Sequence, residues 1–258
     1  MVSQTARVRC VPATPCWVSL MARDLDEAQA FYGELLGWDF EPAPDRWGRY
    51  VHAVAGDEAV AGLGEASGDL ALPISWTCYF GTESADQAAD AVRERGGTLA
   101  VGPLLFDEGR VAFASDPMGA VFGIWEGPPG TARVLDVPGA PVWIELRTPD
   151  PFAAALFYGE VFRWDGRDPA HFEVRWEHER VVLLAEGRSV AALRAGVPEG
   201  GPPHWEVSFS VPDTDAAVKT AERLGGGVLG AAFDSPYGRV ARLRDPEGGR
   251  FAVICPNR

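Results

Sequence analysis

The segment that decides the fold is Phe31-Tyr32-Gly33-Glu34, because the same four residues recur as Phe157-Tyr158-Gly159-Glu160. The two segments are 126 positions apart (157 − 31), whereas later landmarks are offset by 129 positions (238 − 109), which requires a small net insertion in the second half. The matching pairs are Trp17 and Trp143, Asp24 and Asp150, Trp38 and Trp164, Gly109-Arg110-Val111-Ala112 and Gly238-Arg239-Val240-Ala241, and Asp116-Pro117-Met118-Gly119 and Asp245-Pro246-Glu247-Gly248. Several landmarks in one order predict two copies of one domain.

The repeat also predicts the domain boundaries. Copy one is expected to span residues 15–127 and copy two residues 140–256. The intervening residues 128–139 contain Pro128-Pro129-Gly130 and Pro138-Gly139. A stretch this short and this rich in Pro and Gly is typical of a linker.

Each copy is predicted to be an α+β domain, because strand-like apolar runs alternate with amphipathic helices. In copy one, apolar residues at helical spacing follow Asp24, a good N-cap, and end at Gly37, a good C-terminal residue. The order β-α-β-β-β occurs twice in each copy, and the other helices are predicted at 85–95, 151–162 and 214–224. A helix covers only one face of its sheet, so the other face of a curved sheet can form a concave cup. We refer to these faces of copies one and two as cup one and cup two.

The charge balance limits the partners. The net charge of −14 disfavours nucleic acid and anionic membranes, since both require a basic face. No run approaches the ~18 apolar residues of a membrane span, and the N-terminal residues lack the apolar region of a secretory signal. A cytoplasmic protein is therefore expected. The four cysteines show no paired pattern, so no disulfide framework or cysteine metal site is expected.

The landmarks together resemble the vicinal oxygen chelate superfamily, which includes glyoxalase I, bleomycin-resistance proteins, fosfomycin-resistance enzymes and extradiol dioxygenases. The resemblance rests on the first strand leading to Asp24-Leu25, the helix with Phe31-Tyr32, and Asp116-Pro117-Met118-Gly119 before the last strand, each with its match in copy two. More narrowly, the chain is similar to actinobacterial two-domain glyoxalase-like proteins. The resemblance implies paired βαβββ modules that form a half-open, eight-stranded curved sheet in each copy. It also implies, for the enzymes, a divalent metal held by His, Gln or Glu and acting as a Lewis acid.

The metal positions that the resemblance implies are poorly filled in this chain. In each copy, one position lies on the first strand, seven residues before the capping Asp, and another lies four residues after the glycine of the Asp-Pro-x-Gly motif. A further position, at the start of the fifth strand, is Thr77 in copy one and Glu206 in copy two, or His204 if the register shifts. One carboxylate does not make a metal site that commonly needs three protein ligands, so no metal and no cofactor are expected. The four positions without a suitable donor are Trp17, Trp143, Gly123 and Ala252.

Period-two alternation along the strands predicts which side chains face the cups. Trp17 and Trp143 provide either an aromatic floor for a planar ligand or a plug where a metal site once lay, and both interpretations stay open. Glu145 and Arg147 are expected to pair with each other or with Glu206. The four histidines are expected to be ordinary surface or strand residues. The predicted ligand-binding residues are Trp17, Ser19, Met21, Thr77 and Tyr79 in cup one, and Trp143, Glu145, Arg147, Glu206 and Ser208 in cup two.

Three functions compete at this point. The first is a metal-free small-molecule-binding protein, as in the bleomycin-resistance branch, that sequesters a planar drug or secondary metabolite. The second is a glyoxalase-like lyase or hydroxylase-type enzyme that uses the acidic residues of cup two. The third is an interaction protein that keeps only the fold and has tightly packed cups. A monomer or a homodimer is compatible with two tandem copies.

Overall fold

The computed structural model describes residues 12–66, 74–127, 137–166, 172–177, 180–197 and 201–257. The elements of copy one are β1 (Pro15–Ala22), α1 (Leu25–Leu36), β2 (Asp39–Pro42), a 3₁₀ turn (Asp45–Trp47), β3 (Tyr50–Ala55), β4 (Glu58–Glu65), β5 (Trp76–Gly81), α2 (Ala85–Glu94), β6 (Thr98–Phe106), β7 (Gly109–Ser115) and β8 (Val121–Glu126). Most of the predicted linker, residues 128–136, lies outside the described residues. Among the helices described, none is both long and apolar enough to cross a membrane.

Copy two repeats this order. Its elements are β9 (Pro141–Thr148), α3 (Pro151–Phe162), a 3₁₀ turn (Trp164–Gly166), β10 (Phe172–Glu177), β11 (Arg180–Ala185), β12 (Arg188–Ala195), β13 (His204–Ser210), α4 (Thr214–Arg223), β14 (Gly227–Val228), β15 (Phe233–Ser235), β16 (Gly238–Arg244) and β17 (Arg250–Pro256). The extra short strand β15 pairs with β16.

The first helix of each copy begins with the same kind of cap, but the two helices end differently. The Asp24 carboxylate accepts hydrogen bonds from the N–H groups of the first turn of α1, and Asp150 does the same for α3. Gly37 ends α1 in the left-handed conformation, with φ of 71°. Arg163 occupies the equivalent position after α3 (37 + 126) and adopts φ of 54°, a conformation that a side chain disfavours.

Each copy forms one mixed, curved sheet. The strand order is β2-β3-β4-β1-β5-β8-β7-β6 in copy one and β10-β11-β12-β9-β13-β17-β16-β14 in copy two. The two modules of a copy meet at an antiparallel pair, β1 with β5 or β9 with β13, and each central strand has a parallel neighbour on its other side. The predicted α+β architecture, with two βαβββ modules per copy, is confirmed.

The two copies pack back to back through one shared core. Strands β5 and β13 contact each other, α1 contacts α4, and α2 contacts α3. Helix-facing residues of both sheets belong to the same hydrophobic cluster. The aromatic ring of Phe80 packs on Trp205, and that of Trp76 packs on Phe209. The concave faces of both sheets consequently point away from this core.

Two equivalent hydrogen bonds join the copies inside the core. Tyr32 donates its hydroxyl to Asp245 at 2.9 Å, and Tyr158 donates its hydroxyl to Asp116 at 3.2 Å. Each tyrosine thus meets the Asp-Pro-x-Gly aspartate of the other copy. Burial raises the pKa of both tyrosines well above the usual value, and burial also raises the pKa of both aspartates despite the hydrogen bonds they accept. The tyrosines of the two Phe-Tyr pairs therefore hold the copies together as well as packing in the core.

Two further features concern a strand and the cysteines. Strand β6 reaches Phe106 because bulges carry its pairing with β7 past Gly102-Pro103. Cys16 is disulfide-bonded, while Cys78 and Cys255 are free thiols. The expectation of no disulfide was therefore wrong for Cys16, because cysteine spacing alone does not specify pairing.

Candidate functional site

Alternation along the central strands places the predicted site residues on the concave faces. On β1, Val18 and Leu20 are buried in the shared core, so the residues between and beside them face cup one. On β9, Ile144 and Leu146 belong to that core and their neighbours face cup two. The residues that face the cups in this way are Trp17, Ser19, Met21, Thr77 and Tyr79 in copy one, and Trp143, Glu145, Arg147, Glu206 and Ser208 in copy two.

Two tyrosines that lie over glycines fill the floor of cup one. The Tyr50 hydroxyl accepts a hydrogen bond from Trp17 Nε1 at 3.3 Å, and a Cβ on Gly62 would overlap that hydroxyl. The Tyr79 ring lies over Gly123 in the same way. Burial raises the pKa of Tyr50 to about 12. Glycine is needed at both positions because the rings occupy the space of any side chain.

The polar groups of cup one are few and mostly paired with one another. The hydroxyls of Ser19 and Tyr79 are 2.9 Å apart. Thr77 pairs in register with Ser19 and is half-buried, whereas Met21 lies at the rim and is 42% exposed. Cup one is therefore neutral and largely occupied by its own side chains.

His52 faces cup one, although the predicted cup residues did not include it. It lies on strand β3, in line with the expectation of a surface or strand residue, but it is buried on the concave face and makes edge-to-face contacts with Trp17, Trp47 and Tyr50. Burial lowers its pKa, an effect that the charge of Glu41 opposes. Alternation along β3 could have identified His52, because it lies two residues from Tyr50 and therefore on the same face of the sheet.

A contact across the mouth closes one end of cup one. The 3₁₀ turn reaches from the β2–β3 side to the β6–β7 hairpin, where the Trp47 ring packs on Phe106 at 4.4 Å. Arg46 and Asp107 form an ion pair beside it. These contacts narrow the opening of cup one on the side of the β6–β7 hairpin.

Charged side chains line the centre of cup two. Arg147 Nη1 is 3.0 Å from Glu145, and Arg147 Nε is 3.9 Å from Glu206. Arg242 Nε donates to both oxygens of Glu206, at 2.9 and 3.1 Å. The side chains of Arg147, Glu145 and Glu206 are 8 to 9% exposed. Burial lowers the pKa of Arg147, while the two glutamates oppose this and Arg242 adds to it. The network matches the predicted pairing and adds Arg242 to it.

An aromatic platform lies beside this network. The rings of Trp143 and Tyr237 are nearly parallel, with an interplanar angle of 22° and centroids 6.2 Å apart. Trp143 is half-buried against a small apolar cluster on the concave face, and Tyr237 is 55% exposed. Arg180 donates to the Tyr237 hydroxyl at 2.8 Å. The Arg180 guanidinium carbon also lies over the Tyr237 ring, 5.6 Å from its centroid. Trp143 and Tyr237 together give this side of cup two an aromatic surface that can contact a planar molecule. The apolar cluster consists of Val182, Leu184 and Ala192.

The residues present do not fit the metal that the family resemblance implies. Trp17, Tyr79 and Gly123 share one rung of the copy-one sheet, and the Tyr79 ring fills the space above Gly123. In copy two, the rung of Trp143 holds Ser208 and Ala252, while Glu206 lies one rung away with both oxygens bound by Arg242. Among the described residues, no group of three His, Cys, Asp or Glu side chains is placed to hold a metal.

His204 shares a face with Glu206 but has a different environment. It lies two residues before Glu206 on β13 and pairs in register with Arg147. Its Nδ1 is 2.9 Å from the Pro202 carbonyl oxygen, and the ring is half-exposed. Glu206, rather than His204, is the residue embedded in the charged network.

A separate surface depression lies away from both cups. It is lined by residues of the β6–β7 hairpin and of the segment after β5, including Thr82, Leu105, Asp107 and Arg110. None of the predicted site residues lines it.

Two family models match the chain, one in each copy. Residues 15–124 match the model described as "Glyoxalase/Bleomycin resistance protein/Dioxygenase superfamily". Residues 143–254 match the model described as "Glyoxalase-like domain".

Curated relatives match over nearly the full length. The chain is 33% identical over 250 residues to "Putative glyoxylase CFP32" of Mycobacterium bovis, with 94% of this chain and 95% of the relative covered. It is 32% identical over 262 residues to "Anthracycline biosynthesis protein DnrV" of Streptomyces peucetius, with coverage of 95% and 94%.

Solved structures share the fold at low identity. A Mn(II)-bound glyoxalase from Novosphingobium aromaticivorans superposes with a TM-score of 0.58 at 17% identity, over 94% of this chain and 82% of the other. The 2,3-dioxygenase LapB from Pseudomonas sp. KL28 gives 0.58 at 15% identity, over 98% and 94%. These likenesses concern the fold alone.

Proposed function

Because the chain belongs to the glyoxalase/bleomycin resistance protein/dioxygenase superfamily, we propose that it binds a planar small organic molecule in cup two without using a metal. The observation that carries this proposal is the parallel pair Trp143 and Tyr237 beside a buried charged network. The rings offer a stacking surface, and the polar groups below them can fix the orientation of a ligand.

The donor sets favour binding without a metal. The positions that the family uses for ligands hold Trp17 and Gly123 in copy one and Trp143 and Ala252 in copy two. Indole has an N–H donor and no lone pair for a metal, and Gly and Ala have no donor at all. The two carboxylates nearby are both engaged by arginines, Glu206 by Arg242 and Glu145 by Arg147.

Cup two is preferred over cup one because the two floors differ. Tyr50 and Tyr79 cover the glycines of cup one, and Trp47 closes its end on Phe106. In this proposal cup one binds no ligand and its side chains have a structural role. This corresponds to the interpretation of Trp17 as a plug. Sequestration of a planar drug or secondary metabolite is the activity that this geometry suits best. The name of the relative from Streptomyces peucetius suggests aromatic polyketides as the first compounds to test.

A fluorescence titration tests the proposal. Protein stripped of metal by chelation is titrated with a panel of planar aromatic compounds, including anthracycline aglycones, while tryptophan emission is followed. We expect saturable quenching that Trp143→Phe abolishes and that the matched variant Trp17→Phe retains. Absence of quenching across the panel contradicts small-molecule binding. Loss of quenching only in Trp17→Phe moves the site to cup one, and binding that appears only after addition of Mn²⁺ contradicts a metal-free site.

An enzyme is the second candidate, favoured by the pairing of Glu145 with Glu206 across one rung next to Arg147. Two adjacent carboxylates are a common arrangement for proton transfer. A glyoxalase-like lyase or hydroxylase-type activity would use them as acid and base. Turnover of a bound compound, followed by mass spectrometry and lost in Glu206→Gln while binding persists, would favour this candidate over sequestration.

A further inference from the structure

We propose that cup two selects planar ligands that carry a carboxylate or a similar oxyanion, held by Arg194 and Arg147. This inference rests on the proposed function, because it names the ligand class for the same site. The predicted site contained Arg147 but not Arg194. The evidence is a row of cations across the sheet, an unpartnered buried donor, and the spacing between these groups and the aromatic platform.

Three arginines and a histidine lie on one rung of four adjacent strands. Arg180 on β11 pairs in register with Arg194 on β12, Arg194 pairs with Arg147 on β9, and Arg147 pairs with His204 on β13. Side chains on one rung share a face of the sheet, and Arg147 faces the cup, so this whole row faces it. Like charges directly opposite each other destabilise a sheet. Because the row lowers the stability of the sheet, we infer that its positive charge serves to bind an anion.

The row is only partly neutralised. Arg180 pairs with Glu177 at 2.7 Å. Arg147 pairs with Glu145 at 3.0 Å, and its Nε lies 3.9 Å from Glu206, which is ion-pair distance but too long for a hydrogen bond. Within the described ranges, no carboxylate lies at ion-pair distance from Arg194. The row, the glutamates paired with it and Arg242 together comprise four arginines (Arg147, Arg180, Arg194 and Arg242) and three glutamates (Glu145, Glu177 and Glu206), in a chain whose net charge is −14. The cup is thus locally cationic within an acidic protein.

Arg147 provides the independent observation. Its side chain is 8% exposed, and its buried Nε has no hydrogen-bond partner. A buried donor without an acceptor is costly, and a charged donor more so. A ligand carboxylate is a suitable acceptor, because the guanidinium fork and the carboxylate have matching geometry.

The spacing limits the ligand further. Trp143 and Arg147 are four residues apart on β9, which corresponds to roughly 13 Å between their Cα atoms in an extended strand. Arg180 contacts Tyr237 directly, so the length of the ligand is set by Trp143 at one end and by Arg147 and Arg194 at the other. A single aromatic ring stacked on Trp143 does not reach those two arginines, whereas a fused polycyclic acid does. The ligand class is therefore a fused-ring planar anion with its charged group at one end.

The probes are anthraquinone-2-carboxylate, its neutral carboxamide, and benzoate, each titrated at neutral pH and moderate salt. We expect the anthraquinone carboxylate to bind at least tenfold more tightly than the carboxamide, and benzoate to bind more weakly than either. Arg194→Gln should remove the preference for the carboxylate and leave carboxamide affinity within about twofold. The matched control is Arg188→Gln, which removes the same charge from the other end of β12 and should retain the preference.

Each other outcome is informative. Equal binding of carboxylate and carboxamide by the unmodified protein overturns the anion selectivity and leaves the proposed function intact. Binding of neither compound, together with no response in the wider panel, overturns the proposed function itself. An equal loss of preference in Arg188→Gln and Arg194→Gln indicates long-range charge rather than a clamp and overturns the assignment to Arg194. Circular dichroism of both variants establishes that they are folded.

Discussion

Removal of the hydroxyl of Tyr32 is a sharp test of how the two copies are held together. The hydroxyl donates to Asp245 at 2.9 Å and accepts from Trp76 Nε1 at 3.0 Å, and the whole side chain is buried. Tyr32→Phe loses a hydrogen bond to a charged group, worth about 1.5–3 kcal/mol, and leaves the indole N–H without an acceptor, at about 1–3 kcal/mol. We expect the free energy of unfolding to fall by about 3 kcal/mol.

Urea unfolding followed by fluorescence and far-UV circular dichroism measures this loss. The double variant with Asp245→Asn should show a coupling energy of about 1 kcal/mol or more, because the two groups are in direct contact. Tyr237→Phe is the matched control, since its exposed hydroxyl should contribute less than about 0.5 kcal/mol. A loss below 1 kcal/mol in Tyr32→Phe, or strict additivity with Asp245→Asn, would refute the argument that this bond fastens the copies.

Three further changes test other parts of the structure. Arg163→Gly should raise the free energy of unfolding by about 0.5–1 kcal/mol, because glycine relieves the left-handed backbone after α3; an unchanged or lower thermal midpoint contradicts this. Gly123→Ala should cost about 1–3 kcal/mol through overlap with the Tyr79 ring, and a midpoint equal to that of the unmodified protein would show that the ring is not fixed there. Burial raises the folded-state pKa of Asp116, so between that pKa and the unfolded value near 3.9 the folded chain binds more protons. The contribution of Asp116 to stability should therefore grow as the pH falls through this window, and denaturation curves of Asp116→Asn at several pH values should lack the gain.

The repeat was sufficient to predict the architecture. The duplicated Phe-Tyr-Gly-Glu segment and the Asp-Pro-x-Gly landmarks predicted two α+β copies, and the family they suggested is confirmed by the matching models. Helix limits followed from local chemistry. Asp24 and Asp150 have short side chains that satisfy the N–H groups of the first turn wherever the fold places them. Such local interactions are readable from sequence because both partners are neighbours in the chain.

The site was predicted only in part, because its remaining residues depend on register. Alternation predicted the face of Glu145 and Arg147, but it did not show which residues of distant strands lie opposite them. Arg194 reaches Arg147 through the pairing of β12 with β9, and Arg242 reaches Glu206 although 36 positions separate them. The contact of Tyr32 with Asp245 was missed for the same reason, since a repeat shows equivalent residues and not which copy they contact.

The back-to-back packing has a consequence for how the two cups can change. Residues that hold the copies together, such as Tyr32 and Asp245, lie on the opposite side of the sheets from residues that line the cups, such as Trp143. A substitution among the side chains that line either cup thus does not alter the contacts between the copies. The shared core can therefore support one cup that is occupied by its own side chains and another whose lining changes to bind a new compound. The duplication places the residues that stabilise the fold and the residues that bind a molecule on different faces of the sheets. Substitutions that change binding therefore have little effect on stability.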